Sequence, residues 1–287
     1  MAGMNTVDLS SWLDFEAAVR DLERRQRELE LQTRRPFDVP LFRGLGSSNW
    51  GLETTLERSY PLEASEETIS LSEYYTDVYA SKSVVETFTE RQWEGLPDTP
   101  LDFSQLLADF ATLGAQLFFS KHIDVYRYFV YLRHHGFASP LLDWTASPYI
   151  AAFFAFDGMP EDAEYASIYA MLRDRVRTTS SGMPVITTLG PYVRSHRRHL
   201  LQQSQYSICL EWDPAYLFRP HGEAMDIPGA LGIASELSKL NIPARDRTVA
   251  LKNLDLMNIN GFSLFGSEDS LVQTIARRER LLRRSSL

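Results

Sequence analysis

A single cysteine, Cys209, stands among the 287 residues, so this chain has no internal disulfide framework and no cysteine-rich zinc site. Long hydrophobic runs are missing too. The longest purely apolar stretch, Tyr149 to Phe156, is too short to span a bilayer, and no membrane partner is expected. Basic charge is in deficit: 29 lysines and arginines face 38 aspartates and glutamates, a net charge of −9. That balance excludes a general nucleic-acid coat protein and disfavours tight, salt-driven binding of long nucleic acid. The one basic block runs from Arg277 to Arg284. Internal repeats and low-complexity linkers are absent, and 44% hydrophobic with 23% charged residues is an ordinary globular balance, which excludes collagen-like, mucin-like and disordered readings. Met1 to Ser10 shows no basic region followed by an apolar stretch. The sequence therefore predicts no secretory signal and a cytoplasmic location.

What is present reads as helices first and strands later. Ser10 or Ser11 is placed to cap a helix from Trp12 to about Gln32, with Asp14 and Glu16 in its positive first turn. Pro36 and Pro40 force an extended segment, and Leu41 to Gly44 reads as a short strand entering a loop of small and turn-forming residues, Gly46 to Gly51. Helical spacing returns over Ser65–Glu90, Ser104–Phe119 and Val125–His134. Ser147-Pro148 opens a further helix over Tyr149–Phe156. Ala166–Leu172 and Tyr206–Trp212 read as buried strands. Gly229–Leu240, Leu251–Ile259 and Ser267–Arg284 read as helices, with Gly261 as a left-handed cap. This order favours α+β over a doubly wound sheet.

Three segments carry a family resemblance. Phe42-Arg43-Gly44 is followed by Trp50-Gly51-Leu52 and Arg58. His134-His135-Gly136-Phe137 leads into Leu141-Leu142-Asp143-Trp144-Thr145 and Ser147-Pro148. Arg198 to Tyr206 holds Gln202-Gln203 just ahead of a strand. Together they resemble the FRG domain, named for its Phe-Arg-Gly motif, over residue 35 to the end. Ile259 to Phe265 is a weaker echo. The resemblance implies a single FRG-like domain at 35–287 with a helical insertion at about 65–135, and leaves 1–34 outside as an N-terminal helix.

The order of parts is also similar to the arginine–serine–glutamate class of ADP-ribosyltransferases. That looser resemblance implies a helical N-terminal part packed on a mixed or antiparallel β core, with NAD as co-substrate. By that resemblance Arg43 and Gly44 match the aromatic-Arg-Gly strand, and Thr145-Ala146-Ser147 the Ser/Thr-rich strand. Gln202 and Gln203 match the corner where the class places its catalytic glutamate.

Each candidate has a structural alternative. A guanidinium offers a fixed fork of donors to a pyrophosphate, yet Arg43 is equally placed to pair with Asp143. Thr145 and Ser147 offer hydroxyls to a ribose or caps to the next helix. Trp144 is a candidate stacking partner or a core residue. His134 and His135 are neighbours that do not share a face, so they do not chelate one metal; one of them is a candidate for a ribose or phosphate, or a dipole-favoured helix end. His196 and His199 have a metal-compatible spacing without a third ligand cluster, so no metal is expected. A glutamine at the ribose corner supplies no negative charge, which passes the electrostatic work to Gln203 itself, to Asp143 with Glu211, or to nothing. Where the family more often has Thr-Arg, Ser139-Pro140 stands, and Arg133 or Arg194 is the replacement phosphate contact.

The leading expectation is an NAD-dependent ADP-ribosyltransferase acting as a toxin or anti-phage defence effector on an RNA, DNA or protein acceptor, held in check by an inhibitory antitoxin partner. The alternatives are a catalytically silent nucleotide- or partner-binding module, and a metal-dependent nuclease using His134, His135 and Asp143.

Overall fold

In the computed structural model, residues 4–59, 69–175, 182–190, 197–212, 215–225, 227, 229–232 and 234–284 are described. Their strands are β1 (Asn5–Asp8), β2 (Leu41–Leu45), β3 (Leu142–Thr145), β4 (Tyr165–Leu172), β5 (Val185–Thr188), β6 (Ser204–Trp212), β7 (Tyr216–Phe218) and β8 (Glu236–Pro243). They form one mixed sheet in the order β1-β8-β4-β2-β3-β6-β5, with β7 paired to β6. The β1–β8 pair is parallel and the rest are antiparallel. The helices pack on this sheet, which makes the fold α+β.

Helices α1 (Phe15–Thr33), α6 (Pro148–Asp157), α9 (Arg247–Leu256) and α10 (Gly261–Phe265) cover one face. Phe15, Val19, Leu22, Phe42, Phe153, Ile168, Leu240 and Leu254 are buried together there. Between β2 and β3 the chain runs through α2 (Thr55–Ser59), α3 (Leu71–Thr89), α4 (Pro100–Lys121) and α5 (Ile123–His134). The last three of these enclose a second core with Tyr206, Ile208 and Leu210 of β6. Local sequence sets their ends. Ser70 accepts from Glu73 N in a capping box, and Thr99 caps α4 ahead of Pro100. Short helices α7 (Arg197–Leu201) and α8 (His221–Met225) flank β6 and β7, and α11 (Glu268–Arg284) is the last of the described elements.

Two sequence expectations are corrected. Gly229–Leu240 is not a helix: its second half belongs to β8, buried along nearly its whole length. Leu237 and Leu240 are spaced like a helix face, and the alternation is disguised because polar residues occupy buried positions with partners of their own. Lys239 Nζ donates to Ser48 O at 2.6 Å and Asn241 Nδ2 to Asp8 Oδ1 at 2.7 Å. Gly261 is not a left-handed cap either; it begins α10 under an Asn260 capping box. Asn258 takes the left-handed turn after α9 with φ 59°, because asparagine is the side-chain residue that tolerates it best.

Candidate functional site

Strands β2 and β3 pair at one position only, Phe42 with Thr145, so the sheet opens between them. The strands to either side are held in longer register, β2 with β4 over five residues and β3 with β6 over four. A cavity of about 430 Å³ lies at that opening, within the usual range for small-ligand pockets. The Phe-Arg-Gly strand serves it in three ways. Phe42 is buried in the core under α6. Arg43 reaches toward β3. Gly44 lets α6 approach: a Cβ there would stand 1.8 Å from Ala151 O.

Arg43 Nη1 donates to Asp143 Oδ1 at 2.7 Å and to Asp143 O at 2.9 Å. Arg133 Nη2 donates to the same Oδ1, and its Nη1 to Thr55 Oγ1 at 3.3 Å. The two arginine side chains are 11% and 10% exposed, whereas the Asp143 side chain is 47% exposed. Burial pushes the Asp143 carboxyl up, but Arg133 and Arg43 outweigh it and hold it well below the usual carboxylate range. Burial draws Arg43 down, opposed by Asp143 and reinforced by Arg133, yet a guanidinium remains charged at neutral pH. Arg43 Nε has no partner among the described residues. Arg198 also lines the cavity, its guanidinium over the Phe265 ring at 5.5 Å. Two cations thus share one carboxylate, with a third arginine on the same cavity wall, an arrangement suited to a charged anion.

His221 adds no positive charge. Burial, then Arg43 and Arg133, push it down to about 3. Its Nε2 shares a 2.9 Å hydrogen bond with Ser207 Oγ, which also accepts from Trp144 Nε1 at 2.9 Å. That chain fixes Trp144, a buried residue on the cavity wall.

The other sequence candidates separate into two groups. Gly44, His134, Thr145 and Gln202 line the cavity with Arg43, Asp143 and Trp144. His134 Nε2 shares a 3.0 Å hydrogen bond with the Tyr206 phenol, whose pKa burial raises. Gln202 Nε2 donates to Leu264 O at 3.2 Å. His135 is exposed and its ring lies against Tyr131. Ser147 caps α6, accepting from Ile150 N. Gln203 is exposed, with φ 48°, and its carbonyl accepts from Ala146 N. His135, Ser147 and Gln203 are not among the residues that line the cavity. Glu211 pairs with Arg219 at 2.5 Å near the far end of β6, seven residues and about 23 Å from Ser204 at the site; it does not supply the missing acid. His199 stacks on Tyr206. His196 and Arg194 lie outside the described residues. Thr55 and Phe154 also line the cavity without a motif that marks them, and Phe265, from the weaker echo Ile259 to Phe265, joins them; helices distant in sequence bring all three in.

Arg277, at the start of the basic block, pairs with Asp157 at the end of α6. Among the described residues, no helix is long and apolar enough to cross a membrane. Residues 39–164 match the family model for the FRG domain. No curated protein and no solved structure matches the chain.

Proposed function

On the match of residues 39–164 to the FRG domain, we propose that this chain is an NAD-dependent ADP-ribosyltransferase working from the β2–β3 cavity. The observation that carries the reading is the pair Arg43 and Arg133 sharing Asp143, with Arg198 on the same wall, in a cavity of ligand size. Guanidinium groups recognise a pyrophosphate through paired donors, and Arg43 keeps its Nε free of any protein partner among the described residues. In the reaction the bond from nicotinamide nitrogen to the ribose breaks, nicotinamide leaves with the electron pair as a neutral base, and an acceptor adds to the oxocarbenium carbon and loses a proton. Asp143, kept ionised by its arginines, is the negative group available to steady that carbon or hold a ribose hydroxyl. Gln202 offers a neutral contact beside it. Toxin or anti-phage activity on a nucleic acid or protein, restrained by an antitoxin, is the biological setting proposed with it.

A second reading has its own support. Asp143 Oδ1 is engaged by both arginines, and Gln203 sits outside the cavity wall, which favours a module that binds a nucleotide without turning it over. Nicotinamide release from NAD by the purified chain, with and without lysate as acceptor source, separates the two. Release that needs lysate supports the transferase and labels its acceptor. An NAD-induced thermal shift without release leaves the binding module, and neither signal overturns both.

A further inference from the structure

Trp50 is the cavity residue that anion binding does not use. It lines the cavity with Arg43 and Arg133, yet it is 48% exposed, and among the described residues its ring stacks on no other ring. Its backbone, by contrast, is fastened from several sides. Tyr169 Oη donates to Trp50 O at 3.3 Å, and Lys239 Nζ, 5.2 Å above the Tyr169 ring, donates to Ser48 O at 2.6 Å. Ser48 N donates to Tyr165 O at 2.9 Å, and Asn49 N to Ser47 Oγ at 3.2 Å. Gly46 lies so close to the end of α6 that a Cβ would come within 2.3 Å of Gly158 O. Strands β4 and β8 therefore hold the loop while the indole face stays open. A fixed backbone under a free aromatic face lowers the ordering cost of binding a flat partner.

We propose that Trp50 is the stacking platform for an aromatic base, so that the ligand of this cavity is a nucleotide, with a planar base and at least one phosphate, and not a simple phosphorylated sugar or peptide. The proposal deepens the function above and rests on its reading of the arginine cluster as an anion site. Every base has a π-face, so the platform admits adenine or nicotinamide alike.

Calorimetric titration of the full chain with inorganic pyrophosphate and with ADP tests it. The wild type should bind ADP more tightly than pyrophosphate. Trp50→Ala should weaken ADP about 5- to 150-fold, the span that ~1–3 kcal/mol per stacked base implies, while leaving pyrophosphate within about twofold, as expected when the arginines still hold the phosphates. Trp50→Phe should keep most of the ADP affinity. If pyrophosphate binds but Trp50→Ala leaves ADP unchanged, or weakens both ligands equally, the stacking assignment is overturned and the anion site survives. If the wild type binds neither, both fall.

Discussion

Replacing Asp143 with asparagine keeps the side chain's shape and removes the carboxylate that both buried guanidinium groups share. Arg43 and Arg133, about nine-tenths buried, would then stand side by side with no counter-ion. Removing one partner of a buried pair costs about 3–5 kcal/mol. Asp143 is itself half exposed, and solvent screening of such a group brings the expected loss to about 1.5–3 kcal/mol. Denaturant unfolding at pH 7 should show this as a lower midpoint with an unchanged slope. The pH dependence has a definite sign. Because the folded-state pKa of Asp143 is depressed, its contribution is complete above the unfolded carboxyl value near 3.9 and is lost as pH falls below it toward the folded value. The gap between wild type and D143N should be widest above about pH 5 and narrow on acidification. A double variant, R133M/D143N, should be less destabilised than D143N, since one orphaned cation is gone. D143N also makes the cavity more positive, so pyrophosphate should bind more tightly even as nicotinamide release falls. If D143N unfolds within about 0.5 kcal/mol of wild type at pH 7, where ordinary surface changes fall, the coupling argued from these contacts is refuted.

Two other substitutions probe the same strands. Gly44→Ala places a Cβ 1.8 Å from Ala151 O, an overlap relieved only by parting β2 from α6, and should cost about 3 kcal/mol or more in thermal unfolding; an unchanged Tm would refute the close approach. Gln203→Glu, at an exposed left-handed turn, should leave NAD turnover unchanged. A rise in turnover would return Gln203 to the ribose corner.

Much of this architecture was legible because local chemistry and tertiary position agree. Ser147-Pro148 announces α6 and does cap it. The apolar run Tyr149–Phe156 is a helix between a sheet and other helices, buried on most sides. Ala166–Leu172 is a strand whose neighbours lie far off in sequence, and Tyr206–Trp212 pairs with distant β3 as well as with nearby β7, but their β-branched and aromatic content carries the signal by itself. The pairing of Arg43 with Asp143, weighed from sequence as one of two fates for that arginine, is present. Strand β8 was not legible, because Ser238, Lys239 and Asn241 look like a solvent-facing pattern until Asp8, Ser48 and Ser167 are brought to them. The Gln202-Gln203 match in order concealed a division by backbone: one positive φ at Gln203 follows a short helix, and only Gln202 is left on the cavity wall.

The electrostatics of the cavity show why a sum over the chain misleads. A net charge of −9 speaks to solubility and long-range steering, not to any one concavity. Arg43 and Asp143 are a hundred residues apart and meet because the sheet sets β2 beside β3. Arg133 comes from the last turn of α5 and Arg198 from α7, elements far apart in sequence that reach the same opening. The sequence ranks Arg133 only as a substitute contact, since nothing at its own position says that Asp143 will be shared. Once shared, one carboxylate offsets one of the two guanidinium charges of Arg43 and Arg133, and an acidic protein acquires a cationic patch in its cavity. The charges that matter to a cavity are those its topology assembles, and on the function proposed above these suit a phosphate.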